Sequence, residues 1–373
     1  MGVCEVNIVA IVFGVVLVLS VFADVVNTLV ATHTSQHRLW FTRQLYRKSW
    51  RLTRALGLRI SDPGRQHRFL ASYAPVSVLL LLSGWILQQL AGFALIWWGV
   101  GGVRGVDGLW DSFYFSGVVY FTVGFGELVP VEVVPRIGAI IEALAGVLTI
   151  ALVIGYLPAL YAAYSERERK LMTLDDGTED RINPTNLICA RAPDANPRDL
   201  DGWFESWEEW IAGMLETHTT FNMLVFFRSK QQGQSWVTAL GLVTDAALQC
   251  EMMPYACGRA PYWMLRRSVR LFDELTDGFD LSEYERRYEE QVADIMASEA
   301  GDSPSQFQLL YQQLEDHGFE LLPIEEARAN TLELRRRYVP ALEWLIDELV
   351  APRGFWGHRI GHFRLPTTRR PAI

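Results

Sequence analysis

The chain has 373 residues, 50% of them hydrophobic, and a formal net charge of −9. That length exceeds one ordinary domain, and so apolar a composition is the average of two unlike parts. The acidic balance excludes nucleic acid as the principal partner, because a phosphate-backbone binder needs a concentrated basic surface.

Residues 1–164 hold 11 Lys+Arg and 8 Asp+Glu, whereas residues 165–373 hold 23 and 35. An apolar first part therefore precedes an acidic part that reads as soluble. Cys4, Cys189, Cys250 and Cys257 make neither a disulfide framework nor a zinc pattern, since Cys250 and Cys257 stand seven apart without neighbouring histidines. They are expected to be ordinary thiols.

A helix of about 20 apolar residues crosses a bilayer. The first such segment, about Val6 to Val30, lacks a basic n-region and exceeds a signal-peptide core, so it is expected to be a retained transmembrane helix. Asp24 within it is either a counter-charge to a cation on another helix or a group facing the interface. Residues 32–70 then carry nine Lys+Arg against one acid, Asp62, which marks a cytoplasmic segment and puts the N-terminus outside. Within it, residues 40–57 have helical periodicity, with Phe41, Leu45, Leu52 and Leu56 on one face and Arg43, Arg47, Arg51 and Arg54 opposite. This pattern belongs to a helix in the membrane interface whose cations meet anionic headgroups. A voltage-sensing helix would instead carry its arginines on an apolar span behind a bundle of helices. No such bundle precedes this one.

The second span, about Tyr73 to Val100, carries no charge, and the third, about Val133 to Tyr164, has Arg136 at its start and Glu142 inside. Residues 101–132 between them face outward, and the third span returns to the cytoplasm at Ser165. Trp110 to Phe121 is too short to cross and reads as a re-entrant helix, with Asp111 at its positive end. Thr122-Val123-Gly124-Phe125-Gly126-Glu127 follows. Irregular backbone at membrane depth is tolerated only where it lines a cavity or is buried in protein. Successive carbonyls aim one way only if alternate residues adopt angles open mainly to glycine, and Gly124 and Gly126 have that alternation. The Thr122 hydroxyl extends the row, and Val123 and Phe125 are expected to pack outward against the short helix.

This segment resembles the selectivity filter of the potassium channel family, in its bacterial, two-transmembrane-helix, single-pore-loop form. The likeness runs from the re-entrant helix through Glu127, Pro130 and Arg136 to Gly146, which falls where the family has its gating-hinge glycine. The resemblance implies potassium sites at the carbonyls of Thr122, Val123, Gly124 and Phe125, with Gly126 completing the filter. It implies a homotetramer, because one chain supplies one loop. Potassium is then cargo, with no cofactor and no enzyme chemistry.

There are departures. Phe125 replaces the usual tyrosine, Glu127 the usual aspartate, Phe121 a frequent second threonine, and Tyr114 and Phe115 a frequent tryptophan pair. With fewer hydrogen bonds around it, the filter is expected to inactivate readily. Phe125→Tyr should slow current decay; an unchanged decay contradicts this. A weakly selective cation channel and a non-conducting scaffold or receptor retaining the fold are the alternative readings. Glu142, an ionisable group inside a span, is either a functional group or a structural partner of Ser112, Ser116 or Tyr120 behind the filter, alongside Tyr114 and Glu127 as filter support. Gly155 and Pro158 mark either an inner gate or a passive kink.

Residues 173–200, with Asn183-Pro184 and Asn196-Pro197 among them, are rich in turn formers, and residues 166–202 read as a linker. Residues 203–352 read as an all-α cytoplasmic domain, with Trp203, Trp207, Trp210, Ile211, Met214 and Leu215 at helical spacing and a further segment from Leu332 to Val350. It lacks a Gly-rich phosphate loop and a dinucleotide fingerprint, and it is expected to serve assembly or to take an unidentified ligand or protein partner. His218, Ser229, Ser235 and Asp245 invite a catalytic triad, but no nucleophile elbow accompanies them. They read as polar groups at helix ends and in the turn Arg228 to Ser235. The basic tail, residues 353–373, reads as a solvated or lipid-touching end. The expected protein is an all-α membrane protein with one helix (residues 1–31) and a basic segment (32–70) before a pore module (71–165).

Overall fold

The computed structural model describes residues 7–29, 40–174, 183–229, 234–253, 259–298 and 305–353. The chain divides into two compact units. The first is Met1–Ala163 with Thr219–Leu224, the second Tyr164–His218 with Val225–Ile373.

The first unit contains α1 (Ile8–Leu29), α2 (Trp40–Gly57), α3 (Pro63–Val100), α4 (Leu109–Tyr120) and most of α5 (Val133–Leu171). Helices α1, α3 and α5 are long and apolar enough to cross a membrane. Helix α3 starts ten residues before its apolar stretch, inside the segment expected to be interfacial. The Asp62 carboxylate caps it, accepting from the Arg65 amide at 2.6 Å, and Pro63 occupies a first-turn position that needs no N–H donor.

Helices α1 and α3 meet through small residues. A Cβ on Gly92 would lie 2.8 Å from Val18 Cγ2 and 3.0 Å from the Gly14 carbonyl, and one on Gly99 2.7 Å from the Asn7 carbonyl. In a membrane, such close backbone approach supplies the dispersion that holds helices together. Gly92→Leu should therefore undock α1 and lower stability by about 1–3 kcal/mol, the usual cost of overpacking. Thermal unfolding of the detergent-solubilised protein checks this, and an unshifted midpoint contradicts it.

Helix α2 has three faces where the sequence showed two. Leu52 is 63% exposed, Leu56 42% exposed, and Arg47, Lys48 and Arg51 are also exposed, while Trp50 is buried. The side chains of Phe41 and Arg43 lie outside the described residues. The packed face is aromatic and small: Trp50 stacks at a tilt on Tyr73 with ring centroids 5.0 Å apart, Ser49 Oγ lies 3.0 Å from Tyr73 Oη, and Gly57 abuts Leu70. Asp24 does not face the interface. It is buried on α1 and accepts from Thr42 Oγ1 of α2 at 2.5 Å and from Trp85 Nε1 of α3 at 2.9 Å, so it joins three helices.

The second unit contains α6 (Pro184–Arg191), α7 (Asp201–Thr220), α8 (Trp236–Cys250), α9 (Arg259–Thr276), α10 (Ser282–Ser298), α11 (Gln306–His317), α12 (Ile324–Arg336) and α13 (Val339–Glu348). Helix α8 is buried along its whole length and forms the centre. Its polar groups are satisfied: Asp245 accepts from Arg335 Nη1 at 2.6 Å and from Tyr338 Oη, and Gln249 Oε1 accepts from Thr185 Oγ1 at 3.0 Å. Residues 166–202 do not behave as a linker throughout. Residues up to Leu171 continue α5, and Leu187, Ile188 and Leu200 enter the core. The stretch from Leu332 to Val350 is two helices, not one, with Pro340 in the first turn of α13. The basic tail beyond Arg353 lies outside the described residues, while Arg353 itself pairs with Glu343 at 2.8 Å.

Candidate pore loop and its support

Helix α4 begins after Gly108, with the Asp111 carboxylate in its first turn accepting from the Asp107 amide at 3.1 Å. At its other end the Phe121, Thr122 and Val123 amides bond back to the Gly117, Val119 and Val118 carbonyls at 3.1, 2.9 and 2.9 Å. The chain then leaves the helix with its donors satisfied. Among the described residues, no hydrogen bond ends on the carbonyls of Thr122, Val123, Gly124 or Phe125.

The backbone alternates. Thr122, Gly124 and Gly126 have φ of +54°, +63° and +91°, while Val123 and Phe125 between them do not enter the positive region. Glycine reaches that region freely, but for a β-branched threonine it is strained by about 1–3 kcal/mol. Two short strands close the loop. β1 (Val103–Arg104) pairs antiparallel with β2 (Val129–Pro130), Val103 opposite Pro130, so the entry to α4 and the exit of the loop are tied together. Tyr114 Oη donates to Glu127 Oε1 at 2.7 Å, and Arg136 Nε donates to the Pro130 carbonyl at 3.3 Å.

Val123 and Phe125 do not pack against α4 as expected. They are 50% and 71% exposed, and a Cβ placed on Gly124 or Gly126 would meet nothing within 4 Å. One copy of the loop offers these side chains no second wall.

Behind the loop, Glu142 is fully buried on α5. It accepts from Trp97 Nε1 of α3 at 2.7 Å and from Ser116 Oγ of α4, and the Ser116 hydroxyl also lies 3.1 Å from the Leu90 carbonyl. Of the three expected partners, Ser116 is the one bonded; Ser112 Oγ turns to the Gly108 carbonyl at 3.0 Å. Sequence reasoning missed Trp97. The available signal was the spacing Gly138, Glu142, Gly146, which puts a small residue, a carboxylate and a small residue on one stripe of α5. A Cβ on Gly138 would press into the Trp97 ring at 2.6 Å, and one on Gly146 would run into the Tyr120 carbonyl. The position read as a hinge is thus a close-contact point between α5 and the end of α4. Gly155 and Pro158 lie within α5, which continues through both.

In the second unit, His218, Ser235 and Asp245 each have other partners. Ser235 caps α8, Asp245 holds Arg335, and His218 is buried with Nδ1 3.0 Å from the Met214 carbonyl and Nε2 3.5 Å from Arg167 Nη1. Nδ1 must donate to that carbonyl and Nε2 must accept from the guanidinium, so the imidazole is neutral. Burial, and then the neighbouring Arg167 charge, push it down to about 3. The unfolded chain, with a histidine near 6.5, binds the proton first, so stability is complete above that value and falls as pH drops below it. The second unit should lose about 1.4 kcal/mol per pH unit between pH 6 and 4 from this group. His218→Gln should flatten the pH profile of its unfolding midpoint; an unaltered slope contradicts the assignment.

A short helix, a loop whose carbonyls accept no hydrogen bond among the described residues, and two flanking helices long and apolar enough to cross a membrane suit a membrane pore module. Residues 76–162 match the family model described as an ion channel. The chain is also similar to the uncharacterized membrane protein YdjJ of Bacillus subtilis strain 168, being 29% identical over 140 residues, or 36% of this chain and 39% of that protein. The chain thus spans well under half the length of this curated relative. No solved structure gives a significant match.

Proposed function

We propose that this chain is a potassium-selective channel that assembles as a homotetramer in the cell membrane, with the carbonyls of Thr122, Val123, Gly124 and Phe125 as the ion sites. The observation that carries the reading is the row of carbonyls without hydrogen-bond partners on a backbone that alternates at Thr122, Gly124 and Gly126. Such a row exchanges an ion's hydration shell for peptide oxygen, and one loop cannot surround an ion. The exposure of Val123 and Phe125 in a single copy supports closure by further copies.

The basic segment before α3 favours an outside N-terminus and a cytoplasmic second unit. The exposed Leu52 and Leu56 of α2, beside Arg47, Lys48 and Arg51, suit contact with anionic lipid. Proteoliposomes loaded with potassium or sodium test the proposal. Barium-sensitive potassium efflux without matching sodium efflux supports it. Equal fluxes favour the weakly selective channel, and no flux from an intact tetramer favours the scaffold.

A further inference from the structure

The last two residues of α7 and the start of the chain that leads to α8 belong to the first unit. Thr219–Leu224 belongs to that unit, although the residues on both sides belong to the second. Met223 and Leu224 are buried there. Tyr156 Oη of α5 donates to Met223 Sδ at 3.2 Å, and Tyr46 Oη of α2 reaches the same sulfur at 3.9 Å. The Tyr156 ring also stands edge-on to Phe221, with centroids 5.4 Å apart and planes at 62°. One short segment therefore bridges α2 and α5.

Its position on α5 matters. Tyr156 lies between Gly155 and Pro158, where the helix is softest, because Pro158 has no N–H for the Ile154 carbonyl. A Cβ on Gly155 would meet nothing within 4 Å, so close packing does not account for that glycine as it does for Gly138 and Gly146. Towards the filter, α5 is held by Glu142 to Trp97 and by Thr149 Oγ1 to Gln89 Nε2 at 3.3 Å. Near the soft point the hold is Tyr156, itself buried although Ile154, two residues earlier, is exposed. A thioether is a weak acceptor and a flexible packing partner, which suits a latch that opens and closes better than a fixed strut.

We propose that Met223 is a positioning residue for conduction. Through Tyr156 and Tyr46 it clamps the soft point of α5 to α2, and displacement of Thr219–Leu224 changes the fraction of time the pore conducts. The segment continues at both ends into the second unit, so the covalent chain itself carries a rearrangement there to α5. The proposal rests on the channel reading above, and its test separates the two.

Full-length protein in planar bilayers is compared with Met223→Ala, Met223→Leu and Tyr156→Phe. Met223→Leu keeps the volume and loses the acceptor; Tyr156→Phe keeps the ring and loses the donor. The expected result is an open fraction shifted about fivefold or more in Met223→Ala and Tyr156→Phe, a shift of the same sign in Met223→Leu, and unitary conductance unchanged throughout. Open fractions within about twofold of wild type in all three overturn the clamp. Hydrogen exchange of the residue 154–160 amides in nanodiscs is a readout that needs no ion flux. Faster exchange in Met223→Ala supports the clamp, and unchanged protection overturns it. A wild type that passes no ions defeats the channel reading and leaves the exchange result to decide the clamp alone.

Discussion

Gly124→Ala is expected to abolish the potassium flux proposed above while leaving the protein extractable and its assembly state unchanged. At φ of +63°, an alanine puts its Cβ against its own backbone, a penalty of about 1–2 kcal/mol in each chain. A Cβ at that position meets no other atom within 4 Å in one chain, so the penalty is conformational and not a clash. The relief available is rotation of the adjacent peptides, which turns a carbonyl away from the row. Strain is already stored two residues earlier at Thr122, whose φ is +54°. Flux assays on size-selected protein check the expectation. Wild-type flux from the alanine variant contradicts it.

Glu142→Ala is expected to cost about 3 kcal/mol and to lower the yield of folded protein, whereas Glu142→Gln should be tolerated. The alanine leaves a cavity and strips the buried Trp97 Nε1 of its acceptor, and an orphaned buried donor costs about 1–3 kcal/mol before the cavity is counted. Ser116 suffers less, because its hydroxyl can turn to the Leu90 carbonyl at 3.1 Å. The same freedom is why glutamine should be tolerated: its carbonyl accepts from Trp97, and its amide donates to the Ser116 oxygen once the Ser116 proton points to Leu90. Thermal midpoints and elution profiles of the two variants decide between a need for the acceptor and no need at all. An alanine variant with wild-type stability contradicts the role.

The sequence made legible what depends on local pattern. Three spans follow from length and apolarity, and the pore loop from two glycines in alternation after a short helix. What it concealed depends on distant contact or on signals with two meanings. Asn183-Pro184 and Asn196-Pro197 looked like turns, but each asparagine caps a helix that its proline begins, and the first of these helices sits in the core. The packing face of α2 was hidden because Tyr46 and Trp50 lie between its leucine and arginine faces, where an aromatic residue fits either reading. Glu142 was placed behind the filter, but Trp97 is reached only through the crossing of α3 and α5. The return of Met223 to Tyr46 and Tyr156 spans 177 and 67 residues, a separation at which no local period carries information.

The most direct test of the central claim is the reversal potential of the wild-type channel with potassium on one side of a planar bilayer and sodium on the other. The account predicts a strongly potassium-selective potential, with the current blocked by barium from one face. A reversal potential near zero, or no current from an intact assembly, contradicts it.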